Sequence, residues 1–233
     1  MRLFIAFVLV VFSTGLHAQD SENQKKEGRP NFPGTLYADL GIKYVGGVDY
    51  FKVIGSRTAN FYYHYDLPIG NSKISFHPGI GVGLDRYKFS DSTNFTYTII
   101  NSADSSYFKP NKDLNISKSM LIAEYIDIPL ELRYSSNASD PGHSFNVALG
   151  AKVGYLFRGM SKIKYSEGGE TKKVKDIQSF HLTDFRYGAY LRVGTGGFNL
   201  FANYMITPLF KANEGHNKQT MNSWTFGMSF VIL

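Results

Sequence analysis

The chain has 233 residues, with 16 Tyr and 19 Phe against a single Trp, 23 Gly, no Cys and a formal charge of +6. Lack of cysteine excludes disulfides, a thiol nucleophile and a Cys-ligated metal, while the aromatic and glycine content favours strands and tight turns over helices. The basic excess gathers in "KIKYSEGGETKKVK" (162–175), a local run of the kind that forms a solvated loop, so no nucleic-acid partner is expected.

The first residues, "MRLFIAFVLVVFSTGLHAQD", place Arg2 before an apolar core from Leu3 to Phe12 and small or polar residues up to Ala18. This three-part layout predicts a secretory signal peptide over 1–18, cut after Ala18, with Gln19 as the alternative. The apolar core is shorter than the roughly twenty residues that a membrane-spanning helix needs. No other stretch of the chain is long and apolar enough for one. Residues 19–34 read as a flexible polar segment ending in turn residues, and 35–233 as a single barrel domain.

Period-two segments then recur, and a strand's side chains alternate faces with that period. "TLYADLGIKYV" (35–45) sets Leu36, Ala38, Leu40, Ile42 and Tyr44 against Tyr37, Asp39, Gly41 and Lys43. "TANFYYHYDL" (58–67) and "ISFHPGIGVGLDRYKF" (74–89) repeat the scheme across the short link "PIGNSK". A long polar stretch (90–116) precedes "YIDIPLELRY" (125–134), where Ile126, Ile128, Leu130 and Leu132 oppose Asp127, Pro129, Glu131 and Arg133. "SFNVALGAKVGYLFR" (144–158), "DFRYGAYLRVG" (184–194), "FNLFANYMITP" (198–208) and "SWTFGMSFVIL" (223–233) complete eight segments.

Links two, four and six are short, whereas one, three, five and seven are longer and polar. A transmembrane barrel sorts its connections in this way, with turns at the periplasmic end and loops outside. The expected fold is therefore all-β, a closed antiparallel eight-stranded transmembrane barrel in the bacterial outer membrane, with outer-membrane lipid and lipopolysaccharide as its surroundings. The apolar rows then face lipid. They supply an aromatic girdle of Tyr44, Tyr63, Tyr134, Tyr155, Tyr187, Tyr204 and Trp224. Glu124 falls on that face and is expected at or above the outer interface.

The polar rows face the lumen, bringing Asp39, Asp66, Asp85, Asp127 and Glu131 together with Lys43, Arg133, Lys152, Arg158, Arg186 and Arg192. An eight-stranded barrel is only just wide enough for its own side chains. Near-neutral charge in so narrow a space predicts a paired polar core with trapped water rather than a pore. Pro129 removes a ladder donor in a strand without a free edge, so a bulge or a water is expected there.

Other candidates carry less. "GIGVG" (79–83) lies within a strand with no helix after it, which reads as lumen-facing glycine rather than a phosphate loop. His64 and His77 share the polar face of neighbouring strands and lack a third metal ligand. No Ser and His share an outward face with an orienting acid. No catalytic residue, metal or cofactor is expected. "NFT" (94–96), "NIS" (115–117) and "NAS" (137–139) are chance matches to a glycosylation pattern if the host is bacterial.

"YIDIPLELRY" resembles the Tyr-Leu-Glu-Ile-Pro-Leu strand of the PorT-like outer-membrane β-barrel family of Bacteroidota. "FHPGIGVGLD", "NVALGAKVGYLF" and "YGAYLRVGTGGFNLFANYMITPLF" are similar to that family as well. The resemblance implies an eight-stranded outer-membrane barrel, some of whose relatives serve secretion and gliding machinery. The ending "SFVIL" departs from the final Phe common among outer-membrane barrels. Three functional classes follow: a non-enzymatic accessory subunit with protein partners in an outer-membrane complex, a narrow channel, or a soluble secreted lipid-binding barrel. The stretch 90–116 and the basic loop 159–180 are expected to vary freely without disturbing the wall, and the basic loop to meet lipopolysaccharide or an acidic partner.

Overall fold

A computed structural model describes residues 34–91, 96–137 and 144–232. The expected signal peptide (1–18) and all but Gly34 of the expected flexible segment (19–34) lie outside them. The strands are β1 (Gly34–Val45), β2 (Arg57–Tyr65), β3 (Leu67–Pro68), β4 (Ile74–Lys88), β5 (Thr96–Asn101) and β6 (Ser106–Asn111). They continue as β7 (Asn115–Ser135), β8 (Phe145–Glu167), β9 (Glu170–Asp176), β10 (Phe185–Thr195), β11 (Phe198–Met205) and β12 (Ser223–Val231). Eight of them close an antiparallel ring in the order β1, β2, β4, β7, β8, β10, β11, β12 and back to β1. Closure leaves no free edge in the wall, which lipid requires because nothing there could bond an open one.

The faces are inverted relative to a soluble protein. Apolar side chains such as Leu40, Ile80, Ile128, Leu149, Leu200 and Phe226 point outward and are exposed, while the polar rows are buried. This removes the soluble lipid-binding barrel, whose apolar rows would line an inner pocket. From Ile74 to Leu84 the outward row of β4 rises ten steps of about 3.3 Å. At the usual tilt of roughly 40° that is about 25 Å of height, the thickness of an outer-membrane apolar belt.

Two strands are longer than their sequence pattern announced. β7 begins at Asn115 rather than Tyr125, and β8 runs to Glu167 rather than Arg158, so both continue well above the belt. The basic run is not an irregular loop. It is the hairpin β8–β9, turning at Gly168 and Gly169 with φ of 60° and 82°, where a side chain would be strained. The stretch 90–116 likewise contains the hairpin β5–β6.

Pro129 produces no bulge. The β4–β7 register is unchanged on either side of it, from Pro78–Leu130 to Gly81–Asp127, and the ladder skips the two positions between. Gly79 makes this possible, since a Cβ there would stand 3.0 Å from the Pro129 ring. Two rigid prolines are absorbed by one missing side chain on the neighbouring strand.

Candidate functional site

The lumen holds two charge networks. In the upper one Arg186 donates from Nη1 to Asp85 (2.7 Å), and from Nη2 (2.6 Å) and Nε (3.0 Å) to Asp127. Lys43 reaches Asp85 at 2.9 Å, and Lys152 approaches Asp127 at 3.8 Å while donating to the Tyr62 hydroxyl at 3.1 Å. Tyr62 and Thr58 donate to Asp127 and Asp85, each at 2.7 Å. The guanidinium of Arg186 lies 3.7 Å above the Tyr125 ring. Room for the Arg186–Asp127 pair comes from Gly83 and Gly154, where a Cβ would collide with the Asp127 carboxylate.

Nearer the periplasmic end, Glu131 accepts from Arg133 (2.6 and 3.0 Å) and from the Tyr190 hydroxyl (3.0 Å). Arg192 bridges Glu131 at 3.4 Å and Asp39 at 3.2 Å, stacked 4.3 Å over Tyr37. Asp66 stands at the mouth, held by His77 at 2.6 Å and Thr35 at 3.0 Å. His64 donates to the His77 carbonyl at 3.3 Å, so both histidines are fastened within the wall. Among the described residues no group of three His, Asp or Glu is placed to hold a metal ion.

Arg158 is not part of these networks. It lies on the outward face, partly exposed, 3.6 Å from Glu124. The cause is a bulge: Tyr125 pairs with Leu156 but Glu124 with Arg158, which leaves Phe157 as an extra residue and shifts the phase of β8 above it. With Arg158 outside, the ten remaining charges divide evenly. Asp39, Asp66, Asp85, Asp127 and Glu131 face Lys43, Arg133, Lys152, Arg186 and Arg192.

The girdle aromatics stand on the outward face in two tiers. Tyr44, Trp224, Tyr204, Tyr187 and Tyr155 form the upper one, with Trp224 and Tyr204 4.5 Å apart, and Tyr63 and Tyr134 belong to the lower.

Above the charges the lumen turns apolar, which nothing in the sequence pattern announced. Tyr87, Phe89, Leu121, Ala123, Tyr125 and Leu156 point inward from the strand extensions. Phe51, Phe108, Phe180, Leu182, Phe210 and Met221 descend from the outer links onto them. Phe89, Phe180, Leu182 and Met221 are almost wholly buried. Ile99 and Phe108 tie the stretch 90–116 into this cap. Scattered aromatics in polar links have no period, so only their number hinted at such a role.

The outer links also bind one another. His181 meets the Asn101 side chain at 2.8 Å, and His216 stacks on Phe108 at 4.9 Å while its Nδ1 accepts the Phe108 N–H at 2.9 Å. Burial lowers the pKa of His216, favouring the neutral ring that this bond requires. Phe180 and His181 hold φ of 49° and 53°, a left-handed pair fixed by these contacts. The result is an interlocked platform over the barrel's outer end.

A model of the outer membrane protein beta-barrel domain matches residues 7–214. Among solved structures, Ail, the attachment invasion locus protein of Yersinia pestis, in complex with the heparin analogue sucrose octasulfate, is 15% identical. That match covers 85% of this chain and 97% of Ail, with a TM-score of 0.38. A second structure of Ail is 16% identical over the same shares, with a TM-score of 0.37. A mutant Rh. blastica porin is 10% identical, covering 85% of this chain and 99% of its own, with a TM-score of 0.20. No curated protein matches.

Proposed function

The chain belongs to the outer membrane protein β-barrel domain family and is a bacterial outer-membrane barrel, and from that premise we propose that it is a sealed, non-enzymatic accessory subunit of a larger outer-membrane assembly. The carrying observation is the double closure of the lumen, by paired charges along its length and by the apolar cap at its outer end. A buried charge of either sign is held by an opposite one, so an ion entering would have to break pairs that stabilise the wall. Phe108 and Phe210, inserted from different links, bar the outer mouth.

With the interior used for structure, the surfaces left for function are the interlocked outer links and the β8–β9 hairpin. A rigid platform suits a protein partner, because little order has to be gained on binding. Placement among the PorT-like barrels of Bacteroidota, and service to secretion machinery, form part of the same proposal. They rest on the resemblance of "YIDIPLELRY" and the glycine-patterned strands. Purifying the tagged protein from its own membranes in mild detergent, with companions identified by mass spectrometry, tests the reading. Stable companions that disappear when the β5–β6 hairpin is replaced are expected. A folded barrel that emerges alone under every mild extraction would contradict it.

A further inference from the structure

The upper aromatic tier is interrupted over three neighbouring strands. Where β1, β12, β11, β10 and β8 carry Tyr44, Trp224, Tyr204, Tyr187 and Tyr155 outward, β2 and β4 carry Arg57 and Arg86 at the top of the belt. Above them Lys118 on β7, Lys162 on β8 and Lys175 on β9 face the same way.

The register sets like charges opposite each other. Arg57 faces Arg86, Lys118 faces Lys164, and Lys162 faces Lys175. Such pairs destabilise a sheet unless a counter-charge stands between them. Among the described residues, Arg57, Arg86, Lys118, Lys162 and Lys175 form no ion pair, and the acid beside them, Glu124, is already engaged by Arg158. Burial, and then the charges of Lys162, Arg86, Lys88 and Arg57, depress the pKa of Lys118, as expected where several cations share one site.

Arg86, Lys118, Lys162 and Lys175 rim a groove of about 180 Å³ whose apolar floor is Met120, Ile122 and Met160. Below, the floor continues through Leu84 into the lipid-facing belt. Arg86 stands one two-residue step beyond Leu84, roughly 5 Å higher at the usual tilt, which is headgroup depth. Edge protection explains the lysines of β9, whose outer edge is unpaired. It does not explain Arg57 and Arg86, which lie on the barrel wall with a paired strand on either side.

We propose that this groove is a binding site for the phosphorylated headgroup of an outer-leaflet glycolipid of the lipid A class. Arg86, Lys118 and Lys162 bind the phosphates, Met120, Ile122 and Met160 carry the apolar base of the headgroup, and the acyl chains run down the belt past Leu84. The inference depends on the outer-membrane placement and not on the reading of the barrel as a sealed accessory subunit.

The test is native mass spectrometry of the folded barrel in detergent, titrated with bisphosphorylated lipid A, the same lipid dephosphorylated, and inorganic phosphate. Bisphosphorylated lipid A is expected to bind at one site, more weakly as salt rises. Dephosphorylation, or the double substitution Arg86→Gln/Lys118→Gln, is expected to weaken binding about thirtyfold, two surface cations' share. The double variant should keep the gel mobility shift of a folded barrel, since both side chains are exposed. Equal binding of the two lipids by the unaltered protein overturns the proposal whatever the variant does, as does unchanged affinity in a folded variant. Displacement of the lipid by inorganic phosphate at equal concentration would make this a site for free phosphate and overturn it too. Loss of companions without loss of lipid A binding would count against the accessory-subunit reading alone.

Discussion

Arg186→Met is the sharpest perturbation of the lumen. The guanidinium makes three hydrogen bonds of 3.0 Å or less, one to Asp85 and two to Asp127, and covers the Tyr125 ring. Asp85 retains Lys43 at 2.9 Å, but Asp127 keeps only Lys152 at 3.8 Å and the Tyr62 hydroxyl. The substitution therefore strands a carboxylate that is fully buried. Breaking one partner of a buried pair costs about 3–5 kcal/mol, whereas removing both partners costs far less. Arg186→Met should lose that amount in reversible urea unfolding in lipid bilayers, followed by gel mobility and tryptophan emission. Asp127→Asn alone should lose less, because Arg186 keeps Asp85. The double variant's loss should be at least about 1 kcal/mol smaller than the sum of the single losses, the sign of direct coupling. Additive losses, or an Arg186→Met cost below about 1 kcal/mol, would refute the paired-lumen account.

Gly154→Ala should cost about 1–3 kcal/mol in the same assay, because the new methyl enters the space of the Asp127 carboxylate; Asp127→Asn does not relieve it, whereas Asp127→Ala does. The outer links should be pH-sensitive through His216, whose folded-state pKa lies below its unfolded value. Its contribution is then fully present above the unfolded value near 6.5 and is lost as pH falls through the lowered one. Hydrogen-exchange protection over 96–111, taken relative to the intrinsic exchange rate at each pH, should be lower at pH 5 than at pH 7.5 in the unaltered protein, and His216→Ala should abolish that difference. Phe108→Ala should expose the outer links to protease and cost about 3–5 kcal/mol if the cap unfolds with the barrel, yet leave the barrel's heat-shifted mobility intact.

The barrel wall was legible because one physical rule governs it throughout. Ile126, Ile128, Leu130 and Leu132 alternate with Asp127, Glu131 and Arg133, and the uneven links say which side is wet. The lumen charges followed from the same rule, and so did the single error among them. Arg158 continues the polar phase on paper, but the extra residue Phe157 shifts that phase, and a bulge leaves no compositional mark.

Pro129 shows a second limit. Its accommodation depends on Gly79, a residue fifty positions away that only the register brings opposite. The apolar cap was invisible for a related reason. Phe51, Phe89, Phe108, Phe180 and Phe210 sit singly in links without periodicity, and they converge only once the barrel has gathered the loops at one end. The groove above the belt lay hidden in the same way, since Arg86, Lys118 and Lys162 come together only through strand pairing.

The central claim is that this barrel is closed along its whole length and therefore conducts nothing. Planar-bilayer recording tests it most directly, on protein whose heat-shifted mobility shows a folded barrel. The account predicts a silent membrane at every voltage the bilayer withstands, including after proteolytic trimming of the outer links, because the charge pairs beneath them remain. Reproducible conductance steps from the folded, untrimmed protein would contradict it.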